Sequence, residues 1–160
     1  MSIPFRIGVL QLSMEPVEET IAMAQACEEA GFDTFWLAEA YHWWRKHSKE
    51  ARSSTSITAL AARETSSIGI GWGIISPYTR HPAQIAMEAR VLQETAGKGR
   101  FLLGLGASKI FMKHIGEGES GVSVGPATVM REATEIIRGI LSGGEFSCQG
   151  KVFSADVPAM

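Results

Sequence analysis

The segment Ala38 to His47, AEAYHWWRKH, gathers a carboxylate, two imidazoles and two indoles in one short stretch. A carboxylate (Glu39) and an imidazole (His42) are side-chain types that hold or move a proton near neutral pH. Trp43 and Trp44 offer faces on which a flat ring can stack. Glu39 directly follows the apolar run Thr34-Phe35-Trp36-Leu37-Ala38. A carboxylate at the end of a buried strand is costly unless it bonds something, so the competing reading is an arginine or backbone partner. For His42 and the two indoles, packing of a surface loop accounts for the residues equally well.

A second constellation is GWGIISPYTRHP, residues 71–82. Pro77 and Pro82 stiffen the loop at both ends, and Gly73 frees the backbone just before it. Arg80 is suited to an anion or a neighbouring carboxylate, with a structural salt bridge at a helix entry as the alternative. A third, GLGASK at 104–109, invites comparison with the dinucleotide fingerprint GxGxxG. Lys109 stands where the third glycine belongs and no helix opens there, which argues against that reading. Gly104 and Gly106 instead suit close packing inside a barrel or the approach of a ligand to the backbone. His42, His47, His81 and His114 occur in no HxH or HxxxH spacing, and Cys27 and Cys148 form no CxxC. No metal site is therefore read from the sequence.

These residues need elements to position them. Short apolar runs begin at Phe5, Thr34, Ile68 and Phe101, about thirty residues apart. Between them lie helical patterns over Pro16 to Ala30, Ser54 to Thr65, and Pro82 to Gly97. Val17, Ile21, Ala24 and Cys27 mark the buried stripe of the first; Ile57, Leu60 and Ala61 that of the second; Ile85, Ala89 and Leu92 that of the third. A Gly/Ser-rich loop from Gly116 to Gly125 leads to a helix over Pro126 to Leu141, and a hairpin follows with its turn at Gln149-Gly150. Near-continuous apolar strands at this spacing predict repeated βα units in a parallel sheet covered by helices. The fold class is α/β, as an open doubly wound sheet or as a barrel. A (β/α)8 barrel takes about 250 residues, so four units amount to half of one.

In both architectures the ligand lies at the carboxyl ends of the strands. That selects Gln11 and Ser13, Glu39 to Trp44, Ser76 to Arg80, and Gly106 to Lys109. The bulk composition is that of a soluble globular chain, with 160 residues, 45% of them apolar, and a net charge of −2. No basic excess points to nucleic acid, and no run approaches the roughly 20 apolar residues of a membrane span. Two distant cysteines point to a reduced, cytoplasmic setting.

Taken together, AGFDTFWLAE (30–39), GWGIISPYTRHPAQIAMEARVLQETAGKGRFLLGLGAS (71–108) and GEFSCQGKVF (144–153) resemble the luciferase-like flavin and deazaflavin oxidoreductases. The SPYTRHP loop is most similar to the methylenetetrahydromethanopterin reductase branch, which uses coenzyme F420. The resemblance runs from the first strand to the fourth helix. It implies a (β/α)8 TIM barrel, of which residues 1–160 make a single domain with the first four βα units and the terminal hairpin. It further implies an oxidoreductase that transfers hydride between coenzyme F420 and a small organic molecule. An FMN-dependent monooxygenase, or a non-catalytic half-barrel subunit, is the alternative.

By the same resemblance, Glu39 helps place the cofactor ring and assists proton transfer, with His42 as a displaced catalytic candidate. Gly73, Ile74, Ile75 and Ser76, with Gly106, Ala107 and Ser108, line the cofactor, and the Gly73–Ile74 peptide is expected to be cis. Two departures from the family stand out: Ala40-Tyr41 separates Glu39 from His42, and Lys109 stands where some F420-dependent relatives carry a ring-protonating carboxylate. The family also holds the cofactor phosphate largely with the second half of the barrel. A half-barrel leaves two open sheet edges and an uncovered inner face, expected to show Val, Ile, Leu and Trp. Such surfaces favour a homo-oligomer, or mark the chain as a truncated piece of a longer family member.

Overall fold

In a computed structural model of the chain, residues 5–39, 48–107 and 124–158 are described. They form β1 (Gly8–Leu12), α1 (Val17–Glu29), β2 (Thr34–Ala38), α2 (Ser54–Arg63), β3 (Gly69–Ile75), α3 (Pro82–Ala96), β4 (Phe101–Leu105), α4 (Pro126–Ser142), β5 (Phe146–Gln149) and β6 (Ser154–Val157). The sheet runs β1-β2-β3-β4, and β5 and β6 make a separate two-stranded ribbon. β1 pairs parallel to β2, and β2 parallel to β3. This is the α/β architecture of four βα units plus a hairpin that the sequence predicts. The chain divides into two compact units: Met1–Ile75 with Val91–Gly104, and Ser76–Arg90 with Leu105–Met160.

In the first unit, side chains alternate across the sheet. Val9, Phe35, Leu37, Ile68 and Ile70 face one side. They pack with Ala24 and Cys27 of α1, Ile57, Ala61 and Ala62 of α2, and Ala96 of α3. Burying each large side chain there contributes about 1.5–3 kcal/mol. Trp72 continues this row, fully buried, with its ring edge-on to Phe101 at a centroid distance of 5.1 Å.

The opposite face differs from the expectation. Val9 and Ile70 belong to the helix side, and the alternate positions of β3 are Gly69, Gly71 and Gly73. The other face therefore carries Leu10, Trp36 and Leu102 above a floor of glycine. Backbone approach explains part of that floor. A Cβ on Gly71 would fall on the Leu102 carbonyl oxygen, and one on Gly104 on the Trp72 carbonyl oxygen. Trp36 spreads over the rest, tethered by its indole N–H to the Thr34 hydroxyl at 2.9 Å.

Three further details shift. β1 starts at Gly8, because pairing begins at Gly8↔Thr34; Phe5 is 89% exposed and Ile7 51%. On α2 the buried stripe is Ser54, Ile57, Thr58, Ala61 and Ala62. Leu60 lies off that stripe and is 45% exposed. The helix also stops at Arg63, before the buried Thr65, whose hydroxyl bonds the Ala61 carbonyl at 2.8 Å. On α1 and α3, Ala24, Cys27, Ile85, Ala89 and Leu92 are buried as expected.

The amino end of the sheet is densely tied. The Asp33 carboxylate accepts the Ile7 N–H at 2.7 Å. Glu28, at the end of α1, accepts the N–H groups of Ser66, Ser67 and Ile68 and the Ser67 hydroxyl. Desolvation pulls this carboxyl upward, but those donors outweigh it and hold its pKa down to about 2. Arg100 donates to the carbonyls of Ile68, Thr65 and Ala96 and to the Thr65 hydroxyl.

In the second unit, the hairpin turn lies at Gly150–Phe153, beyond the predicted Gln149-Gly150, where the Gly150 N–H meets the Phe153 carbonyl. The cause is Glu132 of α4. Its buried carboxylate accepts the N–H groups of Lys151, Val152 and Phe153 at 3.0, 2.9 and 3.2 Å. These donors, Lys151 foremost, keep Glu132 below the usual carboxylate range. No helix among the described residues is long and apolar enough to cross a membrane.

Candidate functional site

β1 ends at a corner where three segments meet. The Ser13 N–H donates to the Ala38 carbonyl at 3.0 Å, and the Arg52 N–H donates to the Ser13 carbonyl at 2.7 Å. One residue thus clamps the exit of β2 to the entry of α2. Arg52 secures the entry further by donating its guanidinium to the Met14 and Glu50 carbonyls. Ser53 caps α2, its hydroxyl accepting the Ser56 N–H, and Ser54 is the first helical residue.

Glu39 sits in this corner, 6% exposed. The Ser54 hydroxyl donates to its Oε1 at 3.1 Å across a buried contact. The expected need of a strand-end carboxylate for a partner is met here by a hydroxyl at a helix start. The Ser13 hydroxyl is fully buried and has no hydrogen-bond partner among the described residues. A buried hydroxyl without a partner costs free energy, which makes this oxygen a natural contact for a ligand.

Beside Glu39 runs the end of β3. Register ends at Leu37↔Trp72, so Glu39 and Ile74 each lie two residues past the last pair on adjacent parallel strands. The Gly73–Ile74 peptide is cis, as the family resemblance implies. A Cβ on Gly73 would stand 3.1 Å from Leu10 Cδ1 and 3.2 Å from Trp36 Cβ. Its absence makes room for these two side chains against the β3 backbone. Gly73 and Ile74 are partly exposed, whereas Ile75 is fully buried. A buried carboxylate, a buried hydroxyl and a partly exposed glycine backbone at the same end of the sheet suit a planar polar ring, which needs close backbone approach and a few directional bonds.

The remaining candidates belong to the second unit or lie outside the described residues. Ser76 organises a tight turn. Its carbonyl accepts the Thr79 N–H at 3.2 Å and the Thr79 hydroxyl at 3.0 Å, while its own hydroxyl accepts the Tyr78 N–H at 3.3 Å. Pro77 occupies the second turn position, where its fixed φ fits. Arg80 pairs with Glu88 at 3.6 Å, the structural salt bridge weighed against an anion site. His81 caps α3, its Nδ1 accepting the Ala83 N–H at 3.2 Å. Gly106 and Ala107 continue from β4 and are partly exposed. His42, Trp43, Trp44, Ser108 and Lys109 lie outside the described residues.

Sequence reasoning singled out Ser13 by position but missed Ser54 as the partner of Glu39. The available signal was the pair Ser53-Ser54 at a helix start: one serine caps, and the next is free to point elsewhere. Tyr78 was noted only as a loop residue. Its hydroxyl is buried without a partner among the described residues, and burial raises its pKa.

A family model described as luciferase-like monooxygenase matches residues 1–160. Over 151 residues the chain is 32% identical to the 5,10-methylenetetrahydromethanopterin reductase of Methanopyrus kandleri, covering 86% of this chain and 41% of that protein. The coenzyme F420 dependent tetrahydromethanopterin reductase structure from the same organism superposes with a TM-score of 0.81 at 30% identity, covering 96% of this chain and 46% of the other. The oxygenating constituent of 3,6-diketocamphane monooxygenase from Pseudomonas putida, solved with FMN, gives a TM-score of 0.79 over 98% of this chain and 44% of the other. At 21% identity that likeness concerns the fold alone. The chain spans about two fifths of the length of the curated relative it matches. It belongs to the luciferase-like monooxygenase family and has the fold of a partial (β/α)8 barrel.

Proposed function

We propose that this chain forms the amino-terminal half, as a single domain, of an oxidoreductase that transfers hydride between coenzyme F420 and a small organic substrate. One observation carries the reading: a buried carboxylate and the Gly73-Ile74 backbone at adjacent strand ends, in a chain 32% identical to a methylenetetrahydromethanopterin reductase. When bound, the deazaflavin would supply or accept the hydride at its C5 position. The protein's part is orientation and electrostatics. Glu39 would accept a hydrogen bond from the bound ring and orient it. The Gly73-Ile74-Ile75 backbone would support the bound ring and leave substrate the side away from it. By the family resemblance alone, Ser76, Gly106, Ala107 and Ser108 are assigned to the cofactor and His42 to proton exchange with substrate.

The family's description as monooxygenases favours a second reading, with FMN in the same place. Two free, buried cysteines support a cytoplasmic setting. The edge positions of β1 and β4 support assembly with further sheet, in a homo-oligomer or otherwise. Titrating the chain with F420 and with FMN, followed by absorbance and fluorescence, separates the readings. Tight F420 binding with weak FMN binding is expected. Stronger FMN binding would favour the monooxygenase. Binding of neither at tens of micromolar would leave the chain as a non-catalytic half-barrel.

A further inference from the structure

We infer that Ser54 is a positioning residue for Glu39: its hydroxyl, carried on the first turn of α2, aims the carboxylate at the ligand. The bond is buried, 3.1 Å long, and joins residues fifteen apart in sequence. Both ends are held independently of it. Ala38, next to Glu39, and Arg52, two residues before Ser54, are bonded to opposite sides of the Ser13 peptide. Ser53 already serves as the cap of α2, so the Ser54 hydroxyl is not needed to start the helix. Ser54 is fully buried and its hydroxyl has one proton to give, which goes to Oε1. Oε2 is then left oriented by the fixed carboxylate plane. Loss of the hydroxyl removes a buried constraint on the Glu39 carboxylate, while the clamp keeps the backbone in place.

The inference rests on the proposed cofactor reading, and its test separates the two. With glutamate carboxyl carbons labelled and the Glu39 signal assigned through Glu39→Gln, Ser54→Ala is expected to shift that resonance in the cofactor-free chain. Ser54→Thr, which retains a hydroxyl, restores it. An unmoved resonance in a folded Ser54→Ala variant overturns the inference whatever the cofactor result. With F420 or FMN, Ser54→Ala is expected to weaken binding roughly tenfold, the worth of one charge-assisted hydrogen bond. The same change on a Glu39→Gln background should cost almost nothing, because the two residues act as a unit. Equal losses on both backgrounds would assign Ser54 a structural role and overturn the inference. A wild-type chain that binds neither cofactor, with the resonance shift intact, overturns the oxidoreductase reading and the positioning role, and leaves only the Ser54–Glu39 bond.

Discussion

The two ends of the sheet in the first unit are built on opposite terms. At the amino end, Asp33, Glu28 and Arg100 spend their polar groups on backbone N–H and carbonyl groups of the loops they touch. At the carboxyl end, Ser13 clamps the backbone yet leaves its own buried hydroxyl without a partner among the described residues. Glu39 accepts there from a side chain, the Ser54 hydroxyl. Polar groups that close on the chain itself stabilise the fold. A buried hydroxyl left without a partner among the described residues, as at Ser13, is a natural contact for a ligand. This division is the one that parallel βα folds use to keep stability and chemistry apart.

The comparison breaks most readily at Arg100. Arg100→Ala removes four hydrogen bonds and strands three carbonyls, and should lower stability by about 3–4 kcal/mol in urea unfolding. A loss below about 1 kcal/mol would mean that water replaces the guanidinium freely and that the amino end is less closed than described.

Glu28→Gln comes next, at about 2 kcal/mol near neutral pH. The sign of its pH dependence follows from its depressed pKa of about 2 against an ordinary 4.5. Between those values the unfolded chain binds the proton and the folded chain does not. The stabilisation is therefore present above about 4.5 and fades as pH falls toward 2. Thermal melts of wild type and variant should converge through that window. Parallel curves would show that the carboxylate contributes shape alone.

Ser13→Ala should have the smallest effect on the fold, within about 0.5 kcal/mol, since it deletes a hydroxyl with no described partner. Its expected consequence is instead a roughly fivefold weaker affinity for F420 or FMN. If the melting temperature drops and affinity holds, the carboxyl end is structural after all and the contrast between the two ends fails.

Much of the fold was legible from pattern. Thr34 to Ala38 and Phe101 to Leu105 coincide with strands because uninterrupted apolar runs flanked by polar residues leave little else to bury. Pro82 and Pro126 mark helix starts, where proline loses no intrahelical bond. Leu60 was misplaced since a short alanine-rich helix admits two neighbouring stripes, and the choice between them is made by the partner surface. The hairpin turn moved because Glu132, eighteen residues upstream of Gly150, gathers three N–H groups that no local turn signal records. In the site, Glu39 and the glycines around residue 73 could be read from their place at strand ends.

From its sequence alone this protein is determined to be a run of βα units with a carboxylate and glycines where such folds bind ligands, because periodicity and strand-end position are local properties. Tertiary structure decided which oxygen meets which proton. The Ser54–Glu39 bond, the Ser13 clamp and the glycine floor under Trp36 each join segments distant in the chain. Their energies depend on approach distances that arise only once the strands lie side by side.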